Sequence, residues 1–384
     1  MEIIKNEIKK IFNLNNLIVV GIITLIIWNR FISFEIEHFP NGSMIHMYNN
    51  SVYMLENYGE IVDEEEFKNF KKMRDEKVKQ ADEFLSSREE FVNVGLDTYE
   101  KFRNLANRGF RDDEKGKLAS NLVFEDNEPL FWEIPEMDKR IEDYEVYKKT
   151  FIGSEAYEWY PENTRERIDE VYKSEDLNSP FSYDIYENYN SLIKGINLLI
   201  IITVAILISP IFINDNKNKI NYIQYSSKEG RKLFDKKILS GIVSSIIIVT
   251  IQLSIFFIIY KSNNTYMFWN CSINSIFNGG TTSWFDLTFG QYIIITVLLT
   301  YIVGVVVGII SMGVSSKVKT YISLIGAQIP ILFILWIVLK YIGINYITSI
   351  YNPKYTMHYI YITLILISVF IIKGIVKKEK KLDM

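Results

Sequence analysis

Apolar residues in this chain fall into six long runs separated by polar segments of very unequal length. The runs are Leu17–Phe34, Leu192–Ile213, Ile238–Tyr260, Tyr292–Met312, Tyr321–Tyr341 and Tyr355–Val376. A bilayer core of roughly 30 Å takes about 20 apolar residues as helix, and backbone groups cannot stay unpaired in lipid, so each run is predicted to be a spanning helix. The first has no clear small-residue cleavage site behind it and is read as a retained span, not a signal peptide. Ahead of it, over residues 1–16, Ile4, Ile8, Ile11 and Phe12 recur at helical spacing with Lys5, Lys9 and Lys10 on the other faces. That pattern predicts a short amphipathic helix lying in the membrane interface.

A different pattern occupies residues 35–190. Between Glu60 and Val94, apolar residues recur at Phe67, Phe70, Met73, Val78, Ala81, Phe84, Leu85 and Phe91, mostly in steps of three or four. They predict one long amphipathic helix with Asp63, Glu64, Glu65 and Glu66 on its positive end. A second helix is expected from Asn163 or Thr164 to Lys173, with Glu166 completing a capping box on Asn163. The segments "NEPLFWEIPEMDKR" and "FIGSEAYEWYPEN" read as loops or short extended pieces. The block is long enough for a core of its own. The fold class that results is an all-α polytopic membrane protein: a span at 17–34, a mostly helical domain at 35–190 inserted between helices 1 and 2, and spans two to six within 191–376, followed by a tail at 377–384.

Charge sharpens this division. The whole chain carries a formal charge of −4, but Phe34 to Asn190 holds 38 acidic and 20 basic residues. The remainder holds 8 acidic and 22 basic, so an acidic block is inserted into a basic, apolar one. Lysines and arginines cluster in the leader, in the segment after span two, at Lys317 and Lys319, and in the tail. With six spans these segments share one side, which the positive-inside rule makes cytoplasmic; Arg30 and Lys194, near the outer ends, snorkel. The acidic domain and the loop from Lys261 to Gln291 then lie outside. Frequent Ile, Lys and Asn with scarce Ala and Pro read as an AT-rich bacterial genome, which places the chain in a bacterial plasma membrane.

The residue inventory excludes several chemistries. One cysteine, Cys271, rules out an internal disulfide framework. His38, His46 and His358 have no neighbouring ligands at metal-binding spacing. No G-x-S-x-G nucleophile elbow and no G-x-x-x-x-G-K-[ST] phosphate loop occurs, so the chain is read as neither a serine hydrolase of that type nor a P-loop ATPase. Nothing marks a nucleic-acid partner; membrane lipids are the expected surroundings. The spans hold no central Asp, Glu or Arg, as an ion-coupled carrier would need. They do hold Gln252 and Gln328, polar groups that must face protein or a cavity, and Pro330, which should kink its span. Gly304 and Gly308 form a G-x-x-x-G that lets helices approach closely, either within the chain or between copies. The carboxylates of the acidic domain read as a solvated face; the sharper alternative is a surface that steers cationic peptides.

The segment 214–237 carries a further motif. Between two spans stand Ser226, Ser227, Lys228, Glu229, Gly230, Arg231 and Lys232, with Lys236 and Lys237 following. Gly230 permits a turn, Ser226 or Ser227 can cap the helix that follows, and the cations can meet an acidic partner or lipid phosphates. This stretch resembles the "S-S-x-x-G-R-x-x-L-x-x-x-K"-like region of ABC-2 type exporter permeases, in particular those of low-GC Gram-positive bacteria. The six-span count, the interfacial leader and "SWFDLTFGQYI" before span four are similar to that family too, whereas the large acidic insert sets this chain apart from relatives with a small loop there. The resemblance implies a permease that couples through residues 226–232 to a separate ABC ATPase subunit holding ATP and Mg. It also implies a second permease, identical or related, and an amphipathic or peptide-like substrate. The alternative is a non-transporting sensor or scaffold whose outer domain binds a ligand. The topology is testable: in a background lacking Cys271, Ser87→Cys should react with an impermeant thiol reagent applied to intact cells and Lys380→Cys should not. Labelling of Lys380→Cys from outside would overturn the six-span, inward-tails arrangement.

Overall fold

Each apolar run is helical in the computed structural model, which describes residues 2–217 and 230–381. In chain order the principal helices are α1 (Glu2–Ile11), α2 (Leu14–Phe31), α3 (Met44–Tyr58), α4 (Glu64–Ser86), α5 (Tyr99–Asn107), α6 (Glu114–Phe124) and α7 (Leu130–Glu142). They continue with α8 (Glu162–Lys173), α9 (Tyr183–Ile208), α10 (Pro210–Lys217), α11 (Gly230–Tyr260), α12 (Phe289–Ser315), α13 (Tyr321–Val338) and α14 (Thr356–Lys381). No strand occurs among the described residues; a single isolated bridge joins Ser272 and Thr288. Among the described residues, six helical stretches are long and apolar enough to cross a membrane. The chain divides into two units: residues 1–39, 187–267 and 290–384 form the first, and residues 40–186 with 268–289 the second.

The first unit holds the apolar helices, and α9 is its hub. Its most apolar stretch is 78% buried, against 6% for α2 and 17% for α14. A helix that deep has to find protein partners for its polar side chains. Asn190 Oδ1 accepts from Tyr292 Oη at 2.6 Å, and Tyr189 and Thr296 share a hydrogen bond at 2.5 Å. Asn197 donates to Thr300 at 2.9 Å, and Gln252 donates to Thr203 at 2.8 Å. Tyr292, Thr296 and Thr300 lie on α12 at steps of four, so one face of α12 meets one face of α9. Close approach of α12 to α11 depends on two glycines. A Cβ at Gly304 would run into Val249, and one at Gly308 into Ser245. The leader α1 packs on α11, burying Glu7 and Ile11. Asn13 caps the following helix, accepting from Asn16 N at 3.0 Å.

The second unit is built on α4, α7 and two apolar cores. Asp63 and Glu66 form a reciprocal capping box at the start of α4, with both hydrogen bonds at 2.8 Å. One core gathers Ala81, Leu85, Phe91, Phe102, Leu122 and Phe131; the other gathers Met54, Phe67, Phe70, Met137, Ile276 and Phe277. Ion pairs Arg74–Asp138 at 2.6 Å and Lys77–Glu133 at 2.5 Å tie α4 to α7 along their half-exposed edge. The segment 268–289 belongs to this unit. Ile276 N donates to Leu177 O at 2.8 Å, and Arg167 donates to Ser283 O at 3.0 Å while pairing with Asp286 at 2.5 Å.

Several local expectations are corrected here. The stretch "NEPLFWEIPEMDKR" is not a loop: α7 runs through it with Pro135 inside the helix. Burial of Phe131, Ile134 and Met137 on one face outweighs the hydrogen bond that the proline removes. Asn163 does not cap α8, which starts one residue earlier behind Pro161 with no side-chain cap. The long helix expected between Glu60 and Val94 ends at Ser86, and a separate turn of helix covers Glu89–Asn93. "FIGSEAYEWYPEN" contains one helical turn, Glu155–Glu158, capped by Ser154.

Burial also sets a pH dependence in this unit. It pushes the Asp143 carboxyl from 3.8 up to about 6, against the pull of Lys139 and Arg140. A carboxyl raised in the folded state disfavours folding when ionised. Its cost is therefore present above about pH 6 and disappears as the pH falls below the unfolded value. Asp143→Asn should raise the thermal stability of the full chain at pH 7.5 by about 1 kcal/mol, a figure discounted for partial exposure. The gain should fade toward pH 4; a gain that does not change with pH would rule this origin out.

Candidate functional site: an amide-walled cleft in the helical bundle

The first unit contains a cleft of about 730 Å³ between α2, α9 and α13. Its walls follow from which faces the sequence makes apolar. On α13 only Leu324, Gln328 and Leu335 are buried, a narrow stripe at steps of four and seven. A helix held along one stripe leaves gaps beside it. Asn16, Ser209, Gln328 and Tyr321 stand among its lining residues, with Gln328 midway along α13, beside Leu198, Phe333 and Trp336. From Tyr321 to Trp336 along α13 is about 22 Å at 1.5 Å per residue. The cleft is thus long and chiefly apolar, as small-molecule and lipid-like sites commonly are.

Gln328 stands in its wall with both ends of its amide engaged. Oε1 accepts from Ser209 Oγ at 2.8 Å, and Nε2 donates to Ser311 Oγ at 2.7 Å. The side chain joins α13 to the end of α9 and to α12, in apolar surroundings where an unpaired amide would be costly. Two residues on, Pro330 removes the N–H that would bond the Gly326 carbonyl. Ser315 performs a related task at the α9–α10 break. Its hydroxyl accepts from Ile213 N at 3.2 Å and donates to Ser209 O at 2.5 Å. Those two backbone groups are four residues apart and would bond each other in an unbroken helix.

The other residues singled out in the sequence lie elsewhere. Gln252 is on α11 against Thr203, and Gly304 and Gly308 are on the α12 face that meets α11 and α9. None of the three lines the cleft. Of the segment 226–232, Ser226, Ser227, Lys228 and Glu229 lie outside the described residues. Gly230, Arg231 and Lys232 form the first turn of α11. Among the described residues no group of three His, Cys, Asp or Glu is arranged to hold a metal. Cys271 is buried, and burial pushes its thiol up to about 12, away from the reactive thiolate.

The structure adds residues that periodicity did not mark. Ser209 and Ser311 complete the Gln328 network and Ser315 bridges the α9–α10 break; serines in a helix ordinarily bond their own preceding turn, so nothing in their spacing distinguishes them. In the second unit, Arg140 is buried among α3, α7 and the 268–289 segment. It donates to Met47 O at 2.8 Å and to Ser51 Oγ at 2.5 Å, and its guanidinium lies 4.7 Å from the Phe277 ring centroid. Burial lowers its pKa to about 10, which leaves it charged at neutral pH. Comparison with protein-family models, with curated proteins and with solved structures finds no match.

If the amide truly ties the wall together, Ser209 and Gln328 should be energetically coupled. A double-mutant cycle of Ser209→Ala and Gln328→Leu, read by unfolding in detergent, should give about 0.6 kcal/mol of coupling, the usual size for such bonds between membrane helices. A coupling of zero would mean that the two groups hold nothing together.

Proposed function

We propose that this chain is the membrane subunit of an ATP-driven exporter that moves an amphipathic or peptide-like substrate. A separate ATPase subunit supplies ATP and Mg chemistry, and a second permease, identical or related, completes the pump. The observation that carries this reading is the cleft. It is chiefly apolar and bounded by α2 and α13, helices buried over only 6% and 22% of their most apolar stretches. Walls held by so little side-chain packing can separate and close as rigid bodies at modest cost, which is what alternating access requires. The resemblance of residues 226–232 to the coupling segment of ABC-2 permeases supports the same reading. We place that segment, with both ends of the chain, on the cytoplasmic side and residues 35–190 outside.

A second reading, a membrane sensor or scaffold, is favoured by the second unit, which has two cores of its own and needs no transport path to bind a ligand. Partners copurified from native membranes separate the two, since the exporter reading requires an ATPase among them. Arg231→Glu tests the coupling role directly. It should leave insertion and abundance unchanged while weakening ATPase association about tenfold or more, because the reversed charge meets an acidic groove. Wild-type association and transport in that variant would remove residues 226–232 from the coupling role and move the sensor ahead.

A further inference from the structure

We propose that the turn around Trp159 in the second unit is a docking point for a cationic peptide segment. The indole face takes a lysine or arginine side chain, and Glu155 and Glu162 balance its charge. This stands whether the chain is a permease or a sensor.

Trp159 is 77% exposed, more than any other large apolar side chain of that unit. Single exposed apolar residues are ordinary; what distinguishes this one is its mounting. Beneath it Tyr157 is buried, and Tyr157 Oη donates to Asp169 of α8 at 2.9 Å. Phe151 packs against Tyr147 and Tyr172 with ring centroids 5.1 and 5.5 Å away, and edge-on to Tyr157 at 6.2 Å. Ser154 caps the turn through Tyr157 N at 3.2 Å, and an ion pair joins Glu158 to Arg165. The backbone from Ser154 to Tyr160 is therefore fixed to α8 at several points while the indole stands clear. A rigid aromatic anchor held in this way loses little entropy on binding.

Charge selects the partner. Between Phe151 and Thr164 there is no lysine or arginine, while Glu155, Glu158 and Glu162 are all exposed. Glu158 is engaged by Arg165; Glu155 and Glu162 make no ion pair among the described residues. Tryptophan is the best aromatic partner for a cation, and adjacent carboxylates strengthen the attraction. The acidic excess of residues 34–190 adds long-range steering of the same sign. An anionic lipid surface would meet repulsion at the same place.

The test uses the full chain in nanodiscs of zwitterionic lipid, with dye-labelled decalysine and decaarginine as probes and decaglutamate as control. Fluorescence anisotropy should show saturable binding of the cationic peptides only. Trp159→Ala should weaken it about tenfold and Trp159→Phe by less. Glu155→Gln combined with Glu162→Gln should weaken it several-fold and flatten its salt dependence. Each change is at an exposed position, so the fold should persist. Absence of binding by the unaltered chain would overturn the proposal, as would unchanged affinity in Trp159→Ala. Preferential binding of anionic vesicles through Trp159 would overturn it in favour of a lipid surface.

Discussion

The arrangement of the first unit depends on one constraint: a helix surrounded by other helices in an apolar setting must have its polar side chains met by protein. On α9 and just past its end, the groups at Tyr189, Asn190, Asn197, Thr203 and Ser209 are each met by a neighbouring helix. Three of these pairings point to α12, one to α11 and one to α13. Together they set which helix lies beside which, and at what axial register. Apolar side chains alone would allow sliding, since one isoleucine contact is much like the next. The hydrogen bonds do not, because a shift of one turn would leave several donors and acceptors without partners at once.

The second unit solves a different problem. It rests on two apolar cores of its own, with ion pairs along the α4–α7 edge. Its unusual element is the 268–289 segment, which joins residues far away in the chain. Ile276 and Phe277 enter a core shared with α3, α4, α7 and α8, and the neighbouring backbone is held by Leu177, Ser179 and Arg167. Arg140 adds a point where three segments meet on one buried cation. A buried charge of this kind specifies arrangement more than it adds stability, since desolvation offsets much of the attraction.

How much of this was legible in the sequence varies with the type of residue. The six apolar stretches were, because lipid imposes composition and length together. Gln328 was conspicuous as an amide within an isoleucine-rich run. Its partners Ser209 and Ser311 were not, since a serine in a helix is satisfied by its own carbonyls until a neighbour arrives. The helix through Pro135 was hidden because proline is a local signal and the burial of Phe131, Ile134 and Met137 is a tertiary one. The 268–289 segment has no periodicity to read; side-chain to backbone bonds hold it, and those depend on residues nearly a hundred positions away.

Ser315 has a mechanical meaning. At the α9–α10 break, two backbone groups that would close a helical turn are joined by one inserted hydroxyl. A continuous helix resists bending through every turn at once, whereas here the stiffness is concentrated in two hydrogen bonds to a single side chain of another helix. The junction is a pin joint. Under torque on residues 210–217 it yields before α9 does, so that short segment can swivel while the register of the longer helices stays locked. The pin is carried by α12, whose own register against α9 is fixed by Tyr292, Thr296 and Thr300.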